Sequence, residues 1–425
     1  MVIEEHARLE ILLPGESSWR YIDENDIINN SLSIISKCMD DSSFSIGGVY
    51  SAQLSVKIRL SGTNSYNVAG AKIKVYSHYD NDSEHLRGVF WATSVSRIKD
   101  IYSISASDSI VWLDTQSYND NSSNSENMIQ GYLCEYRYGL NSIFAKLLEF
   151  VNILLKRSHV VGFDDDVLMP DINGDSGIIN NYTSEVGYTL LKDDEYGQIS
   201  SKNPRDFASW IAQIACGFIF MKYDDGFVRI RIGQFWEDGE VSISFDEVEL
   251  DSCEIADYTI GFKRVYAEIY DGSSGSWYND GFESDVTVDL SGNPFIDGHY
   301  QYNDFSAMDI LKNIYDKLCG NEEKNCHGLP FRPFKLKCHC KKYFELGQKI
   351  RLPDGNISWL TSIKWQFRGG YTLSCAGKDT RTLCNSARRS QAVRAKESAY
   401  TKINNSVAIL NKEINEIRNK INGGE

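Results

Sequence analysis

The chain has 425 residues, a formal net charge of −15 at pH 7 and an apolar fraction of 42%. A chain of this length is expected to form several domains, and its acidic charge argues against a nucleic-acid-binding surface over most of its length. The charged N-terminus lacks the apolar core of a signal peptide, and no stretch is apolar over the ~20 residues that a membrane-spanning helix needs, so we expect no membrane span.

Residues 1–118 are predicted to form a first β-rich domain. In "AQLSVKIRL", Leu54, Val56, Ile58 and Leu60 alternate with polar residues, as is typical of a half-buried antiparallel strand. "AKIKVYS", "RGVFWATSVSRI" and "YSISASDSIVWLD" continue in the same manner. Short strands at this spacing predict a small barrel or sandwich.

Residues 119–240 are predicted to form an α+β module. The polar segment "SYNDNSSNSEN" marks its boundary with the first domain. Amphipathic patterns predict helices over 142–157 and 206–220.

Turn and cap residues support these assignments. Asn203 or Ser201 is a candidate N-cap for the second helix, with Pro204 in its first turn. Asp225-Gly226 predicts the turn of a β-hairpin in "YDDGFVRIRIGQF".

Residues 241–385 are predicted to form a second β-rich domain. Its strands lie in "YTIGFKRVYAEIYDG", "GQKIRLPDG", "ISWLTSIKWQF" and "GGYTLSCAG". A peripheral helix over 306–320 interrupts them and ends at Gly320. The two β-rich blocks therefore flank the α+β module, which suggests two related barrels.

Residues 386–425 are predicted to form a helical stem. Apolar residues recur there at alternating steps of four and three, which predicts a coiled-coil seam. β-Branched residues at both seam positions favour three or more strands, and Glu413 and Arg418 are placed to pair between chains. The alternative is an amphipathic helix that folds back on its own body. The seam consists of Ile403, Val407, Leu410, Ile414, Ile417 and Ile421.

The cysteines offer one candidate metal site. Cys319, Cys326, Cys338 and Cys340 could converge as four zinc ligands. However, the known zinc spacings use C-x2-C pairs, whereas Cys338 and Cys340 are separated by one residue in an alternating strand. Packing as free thiols is therefore the favoured interpretation, and we expect no metal and no cofactor.

The sequence offers little support for catalysis. It has no glycine-rich phosphate loop, and no cysteine opens a helix beside a downstream histidine in a recognisable frame. Carboxylates are so abundant that none stands out as an acid–base pair. We therefore predict that the chain is not an enzyme and assign no catalytic residue.

Several segments, taken in chain order, resemble the tail-hub proteins of bacteriophages, the family often labelled tail-associated lysin or prophage tail endopeptidase. Ser107 departs from the pattern because an aromatic residue is usual there. The segments are "FSIGGVYSAQLSVKIRL" (44–60), "RGVFWATSVSR" (87–97), "ISASDSIVWLD" (104–114), "NPRDFASWIAQIACGFIFMKYDDGFVRI" (203–230), "LSGNPFI" (290–296) and "FELGQKIRL" (344–352).

The resemblance implies an α+β, mainly β fold, with two tube-like antiparallel β-barrel domains, an inserted α+β module and a C-terminal trimeric coiled-coil helix. It implies a homotrimeric ring that caps the tail tube, adapts sixfold to threefold symmetry and lets DNA pass. The implied neighbours are a distal tail protein or the tail tube above, central fibre or spike proteins below, and the tape-measure protein. The implied location is the virion tail tip, with assembly in the host cytoplasm.

Because the chain ends at Glu425, soon after the stem, we expect no appended hydrolase domain, and no catalytic residue is carried over from the family. The strongly acidic charge is expected to suit a channel wall that does not hold passing DNA. The alternatives are a tail-tip cell-wall hydrolase or peptidase with its site in the α+β module, and a host-glycan-binding adhesin that uses "SGSWYNDGF" and other aromatic loops. The sequence leaves open whether the tail is contractile.

Overall fold

The computed structural model describes the following residues: 4–40, 44–60, 66–80, 82–114, 140–157, 203–224, 227–233, 235, 241–242, 249–256, 259–268, 274–278, 286–293, 307–320, 328–329 and 331–375. All of them lie in one compact unit, Met1–Lys378. The predicted stem, with its seam and the Glu413–Arg418 pair, lies outside them. In the described part of the chain, no helix is both long and apolar enough to cross a membrane. The fold there is α+β and mainly β, as predicted.

The described part of the first block contains eight strands. Its prediction of a half-buried strand at residues 53–59 is confirmed, because Leu54, Val56 and Ile58 are buried and their neighbours are exposed. The block also has two 3-10 helices, Glu24–Asp26 and Ser109–Asp114. The strands are β1 (Glu5–Leu12), β2 (Arg20–Ile22), β3 (Ser33–Lys37), β4 (Gly48–Val49), β5 (Gln53–Arg59), β6 (Lys72–Tyr79), β7 (His85–Ile98) and β8 (Ile101–Ser107).

The described part of the module contains helices α1 (Leu140–Arg157) and α2 (Pro204–Ile214), followed by the hairpin β9 (Phe218–Asp224) and β10 (Phe227–Gly233). The hairpin prediction is confirmed, since Asp224 pairs with Phe227 across the turn.

The prediction that the second helix runs to residue 220 was wrong. Cys216 adopts φ +59°, its N–H bonds the carbonyl of Gln213, and the Gly217 N–H bonds that of Ala212. These two bonds form a Schellman motif that ends the helix, here with cysteine at the left-handed position that glycine usually takes. The following aromatic run then pairs as β9 with β10.

The remaining chain returns to strands, as predicted. Its helix α3 (Ala307–Cys319) ends at Gly320, which has φ +93° and confirms the predicted stop. The strands are β11 (Val241–Ser242), β12 (Glu249–Ile255), β13 (Phe262–Glu268), β14 (Ser274–Tyr278), β15 (Val286–Asp289), β16 (Phe334–His339), β17 (Lys349–Arg351), β18 (Ile357–Trp359), β19 (Ser362–Gln366) and β20 (Gly370–Cys375).

Strands from both β-rich blocks join in a single 11-stranded sheet, in the order β12-β16-β20-β19-β3-β5-β8-β7-β6-β1-β2. The junction is the antiparallel pairing of β3 with β19, in which Ile35 lies opposite Lys364. The sequence predicts two related barrels. Among the described strands the ladder does not close into barrels, because β3 pairs with β19 on one side and with β5 on the other.

An aromatic cluster packs the three predicted regions against one another. Phe44 from the first block lies with ring centroids 5.1 Å from Phe235, 4.9 Å from Phe262 and 4.6 Å from Phe331. These rings belong to the continuous buried core of the unit. Aromatic pairs at such separations add stability beyond the area they bury.

A buried polar cluster, which we call the Arg87 cluster, also joins the two blocks. The Arg87 guanidinium on β7 donates to the hydroxyls of Tyr371 (2.5 Å) and Tyr79 (3.1 Å). The Glu5 carboxylate lies 3.9 Å from the same guanidinium and accepts from the Trp365 indole (2.8 Å). Because β1 and β7 stand several strands away from β19 and β20 in the sheet order, these contacts require the sheet to curl.

We expect R87M to lower the free energy of unfolding by about 3–5 kcal/mol, since removing one partner leaves a buried carboxylate without its cation. The measurement is urea unfolding of the full chain at neutral pH. The matched control is R20M, because Arg20 pairs with Glu16 at the surface. R20M should leave the midpoint almost unchanged. Equal shifts for both variants would contradict a special role for the buried cluster.

Candidate functional site: a junction around helix α2

The N-terminus of α2 is fixed by a capping box. The Asn203 side-chain oxygen accepts from the Asp206 N–H (3.0 Å), and the Asp206 carboxylate accepts from the Asn203 N–H (3.3 Å). Pro204 occupies the first turn. The two reciprocal bonds satisfy N–H groups that a helix end otherwise leaves unpaired. Asn203 is thus the cap that the sequence offered as a candidate.

Arg205 ties this helix end to the first block. Its guanidinium forms a bidentate ion pair with the Asp114 carboxylate, with Nε–Oδ1 at 2.5 Å and Nη2–Oδ2 at 2.8 Å. It also donates to the backbone carbonyls of Ile110 (3.3 Å) and Val49. A planar guanidinium can make all these bonds at once, which a lysine cannot.

The glycine pair before β5 lets the first block approach α2 closely. The Gly47 carbonyl accepts from the Ser209 hydroxyl on α2 (2.7 Å), and its N–H donates to the Gly217 carbonyl (2.7 Å). A Cβ on Gly47 would lie 2.9 Å from the Ser209 carbonyl oxygen on α2, whereas a Cβ on Gly48 would lie 1.7 Å from the Cys38 carbonyl oxygen within the first block. Gly47 therefore permits the approach to α2, and Gly48 permits close backbone packing inside the first block.

The second block reaches the same helix through Asn293. This side chain is 2% exposed, and its amide donates to the Trp210 carbonyl (3.1 Å) and to the Gln213 side chain (2.9 Å). Both acceptors lie in the last two turns of α2. The asparagine of the "LSGNPFI" segment is therefore a connector between the block and the helix.

Asp108 fixes the turn that leads into the 3-10 helix Ser109–Asp114. Its carboxylate accepts from the backbone N–H groups of Ala52 (2.9 Å) and Ile110 (3.0 Å). The residue is 1% exposed. Burial raises the pKa of this carboxyl to about 7, although both backbone bonds and the Arg205 charge oppose the rise.

Four of the segments that carry the tail-hub resemblance thus meet around α2. Their polar residues cap helices, bridge backbone groups or allow close approach. None of these contacts joins a nucleophile to a general base, which is the geometry that covalent hydrolysis requires. Apart from the Asn203 cap, the sequence predicts no individual role for these residues, and the motifs in which they stand are the only signal of their importance.

A cavity of about 390 Å³ lies beside the junction. Its walls are largely aromatic and come from β3, β7, β9, β19, β20 and residues 343–348. Arg87 and Asp108 also face it, but their polar atoms already bond protein groups. Burial raises the pKa of the Tyr223 hydroxyl well above its usual value.

The cysteine cluster is brought together only in part. Cys338 and Cys340 are buried side by side on one face, as the strand alternation predicted, and their thiols bond each other, which raises the pKa of Cys338. Cys319 interacts instead with Cys216. Cys326 lies outside the described residues, and those residues contain no group of three or more potential metal ligands. The four-cysteine zinc site, which the sequence offered only as the less favoured alternative, is not tested by the described residues.

Comparisons with known proteins give structural neighbours only. No family model matches the chain, and no curated protein matches it. The 43 kDa tail protein of prophage MuSo2 from Shewanella oneidensis is 9% identical with a TM-score of 0.47, and the match covers 89% of this chain and 99% of that one.

Two further neighbours are more distant. The E. coli c3393 protein is described as a type VI secretion component with structural similarity to the T4 tail proteins gp27 and gp5. It is 9% identical with a TM-score of 0.38, over 87% of this chain and 77% of its own. A chain of the virion of a native gene transfer agent particle is 11% identical with a TM-score of 0.19, over 28% of this chain and 44% of its own.

At TM-scores below 0.5, none of these likenesses decides the function.

We expect G48A to lower the free energy of unfolding by more than about 4 kcal/mol, because the new Cβ has no room and the backbone must move. The control is G15A. Gly15 has φ +81° with nothing within 4 Å of an added Cβ. G15A should therefore lose only the ~1–2 kcal/mol of left-handed strain. Denaturant unfolding measures both variants, and a G48A loss no larger than that of G15A would contradict the close approach.

Asp108 should make stability depend on pH. Its folded pKa of about 7 exceeds its ordinary value of 3.8, so the unfolded chain ionises first as pH rises. Stability is therefore lost between about pH 4 and pH 7, on the order of 4 kcal/mol in total.

D108N cannot ionise and should lack this loss, although it starts less stable because one backbone N–H loses its acceptor. The measurement is the difference in unfolding free energy between the two proteins across this pH range. That difference should shrink as pH rises, and parallel profiles would contradict the raised pKa.

Proposed function

We propose that the chain is a non-enzymatic hub protein of a phage or phage-like tail. The observation that carries this proposal is the convergence of the resembled segments on α2. Residues from four segments, far apart in the chain, fix one helix between two β-rich blocks. These residues hold α2 in place between the blocks, as we expect in the rigid scaffold of a tail hub.

The sheet supports a ring built from three subunits. Because β3 pairs with β19, each chain presents two β-rich blocks side by side in one continuous sheet. Three such chains supply six blocks, so a threefold assembly can match a sixfold tube. We therefore propose that each block acts as one tube-like domain, with residues 119–240 as a module outside the ring.

The terminal repeat supports a trimeric stem. Its seam residues and the Glu413–Arg418 pair are proposed to hold three chains together below the ring. The proposed neighbours are the tail tube or a distal tail protein above and fibre or spike proteins below, with the tape-measure protein and DNA in the channel. The proposed location is the virion tail tip.

The test of the assembly is native mass spectrometry of the full chain and of a chain truncated after Gln391. We expect a trimer for the full chain and monomers after truncation. A trimer that survives truncation would agree with the hub proposal but would contradict the stem as the main contact between the three chains. A monomer in both cases would contradict the hub proposal.

Matched variants separate loss of the seam from loss of folding. I414D/I417D places charges in the predicted seam, whereas N415D/N419D adds the same charge on the outer positions of the repeat. Only the first should dissociate the trimer, because buried charges without partners are strongly unfavourable. Incubation with host cell walls tests the enzymatic alternative, and release of wall fragments would contradict a purely structural role.

A further inference from the structure

One face of the 11-stranded sheet is left open to solvent over a series of consecutive strands. We call it the serine–lysine face, and it extends from β16 through β20, β19, β3 and β5 to β8. The opposite side chains, such as Leu336, Leu373 and Val56, are buried in the core. The registers place these residues on the open face: Lys335, Lys337, Thr372, Ser374, Ser362, Lys364, Gln366, Ser33, Ile35, Lys37, Gln53, Ser55, Lys57, Arg59, Ser103 and Ser105.

The charge of this face is opposite to that of the whole chain. Every ionised side chain on these strand positions is a lysine or an arginine, although the chain carries a net charge of −15. Acidic groups border it at both ends. On β12, the strand beside β16, Glu254 lies opposite Lys335 and Asp251 pairs with Lys337 (2.7 Å), and at the other end Asp100 pairs with Arg59 (3.3 Å). Between these borders the face differs in charge from the chain as a whole.

Several cations on the face lack carboxylate partners. Within the described residues, Lys57, Lys335 and Lys364 are exposed and form no salt bridge. Lys335 on β16, Lys364 on β19 and Lys37 on β3 lie within four adjacent strands, a span of roughly 14 Å at ~4.8 Å per strand. Such a group of unneutralised cations complements an extended anion.

We propose that the serine–lysine face lies against duplex DNA as it passes through the ring, with its lysines contacting the phosphate backbone. This inference rests on the proposed hub function and specifies which surface lines the channel. The serines on the sheet surface are too short to read base edges, but they can bond phosphate oxygens. The contact would therefore be independent of sequence, as phosphate contacts are.

The test is fluorescence anisotropy of labelled 20-base-pair duplexes of two unrelated sequences with the full chain, titrated between 50 and 200 mM salt. We expect weak binding that is equal for the two sequences and falls steeply with salt. K335S/K364S should weaken binding about tenfold or more at 50 mM salt and reduce the slope of log K against log salt by about 2.

The matched control is K312S/R351S, which removes two exposed cations on α3 and β17, away from this face. It should leave the slope unchanged. The inference is overturned if the wild type does not bind DNA, if both variants lose affinity equally, or if the face variant keeps the wild-type slope. Because the oligomeric state is measured separately by native mass spectrometry, failure of DNA binding leaves the trimer result intact. A monomer that binds DNA would contradict the hub proposal but not the contact of this face with DNA.

Discussion

The pairing of β3 with β19 is the constraint on which the rest of the described fold depends. It joins strands that lie more than three hundred positions apart in the chain and makes one sheet out of two β-rich blocks. This pairing brings Lys364 close to Lys37. It also places Trp365 where its indole N–H donates to the carboxylate of Glu5 on β1. A long-range pairing has a large loop-closure cost in the unfolded chain. The Arg87 cluster and the phenylalanine rings around Phe44 offset that cost.

Helix α2 is the second organising element, and it explains why the resembled segments contain the residues they do. Each contact with α2 uses a chemical property that few other residues share: the forked donor of Arg205, the missing side chain of Gly47 and the two-donor amide of Asn293. The motif positions of these segments are therefore structural contacts around α2. Because α2 takes bonds from both blocks, it can transmit load between them.

Patterns that are local in the chain could be predicted, and contacts between distant segments could not. Alternation predicted β5, and amphipathic spacing with Gly320 predicted α3. In both elements one face is buried, and this leaves a periodic pattern of apolar residues that are close together in the chain. The end of α2 was missed because Cys216 takes a backbone conformation that glycine usually signals. The β3–β19 pairing and the contact of Arg87 with Tyr371 have no local signature, and two barrels were therefore expected where the described strands form one sheet.

The net charge of the chain likewise does not predict the charge of one of its surfaces. A net charge of −15 describes the whole chain, yet lysines gather on one side of the sheet because its registers align them. The two facts are compatible in the DNA channel that we propose. DNA that must pass through cannot be held tightly, and an acidic surrounding weakens every phosphate contact by long-range repulsion. A few unneutralised lysines among serines would keep the duplex against the wall while adding only a small, salt-sensitive attraction, so that each contact is broken as readily as it forms.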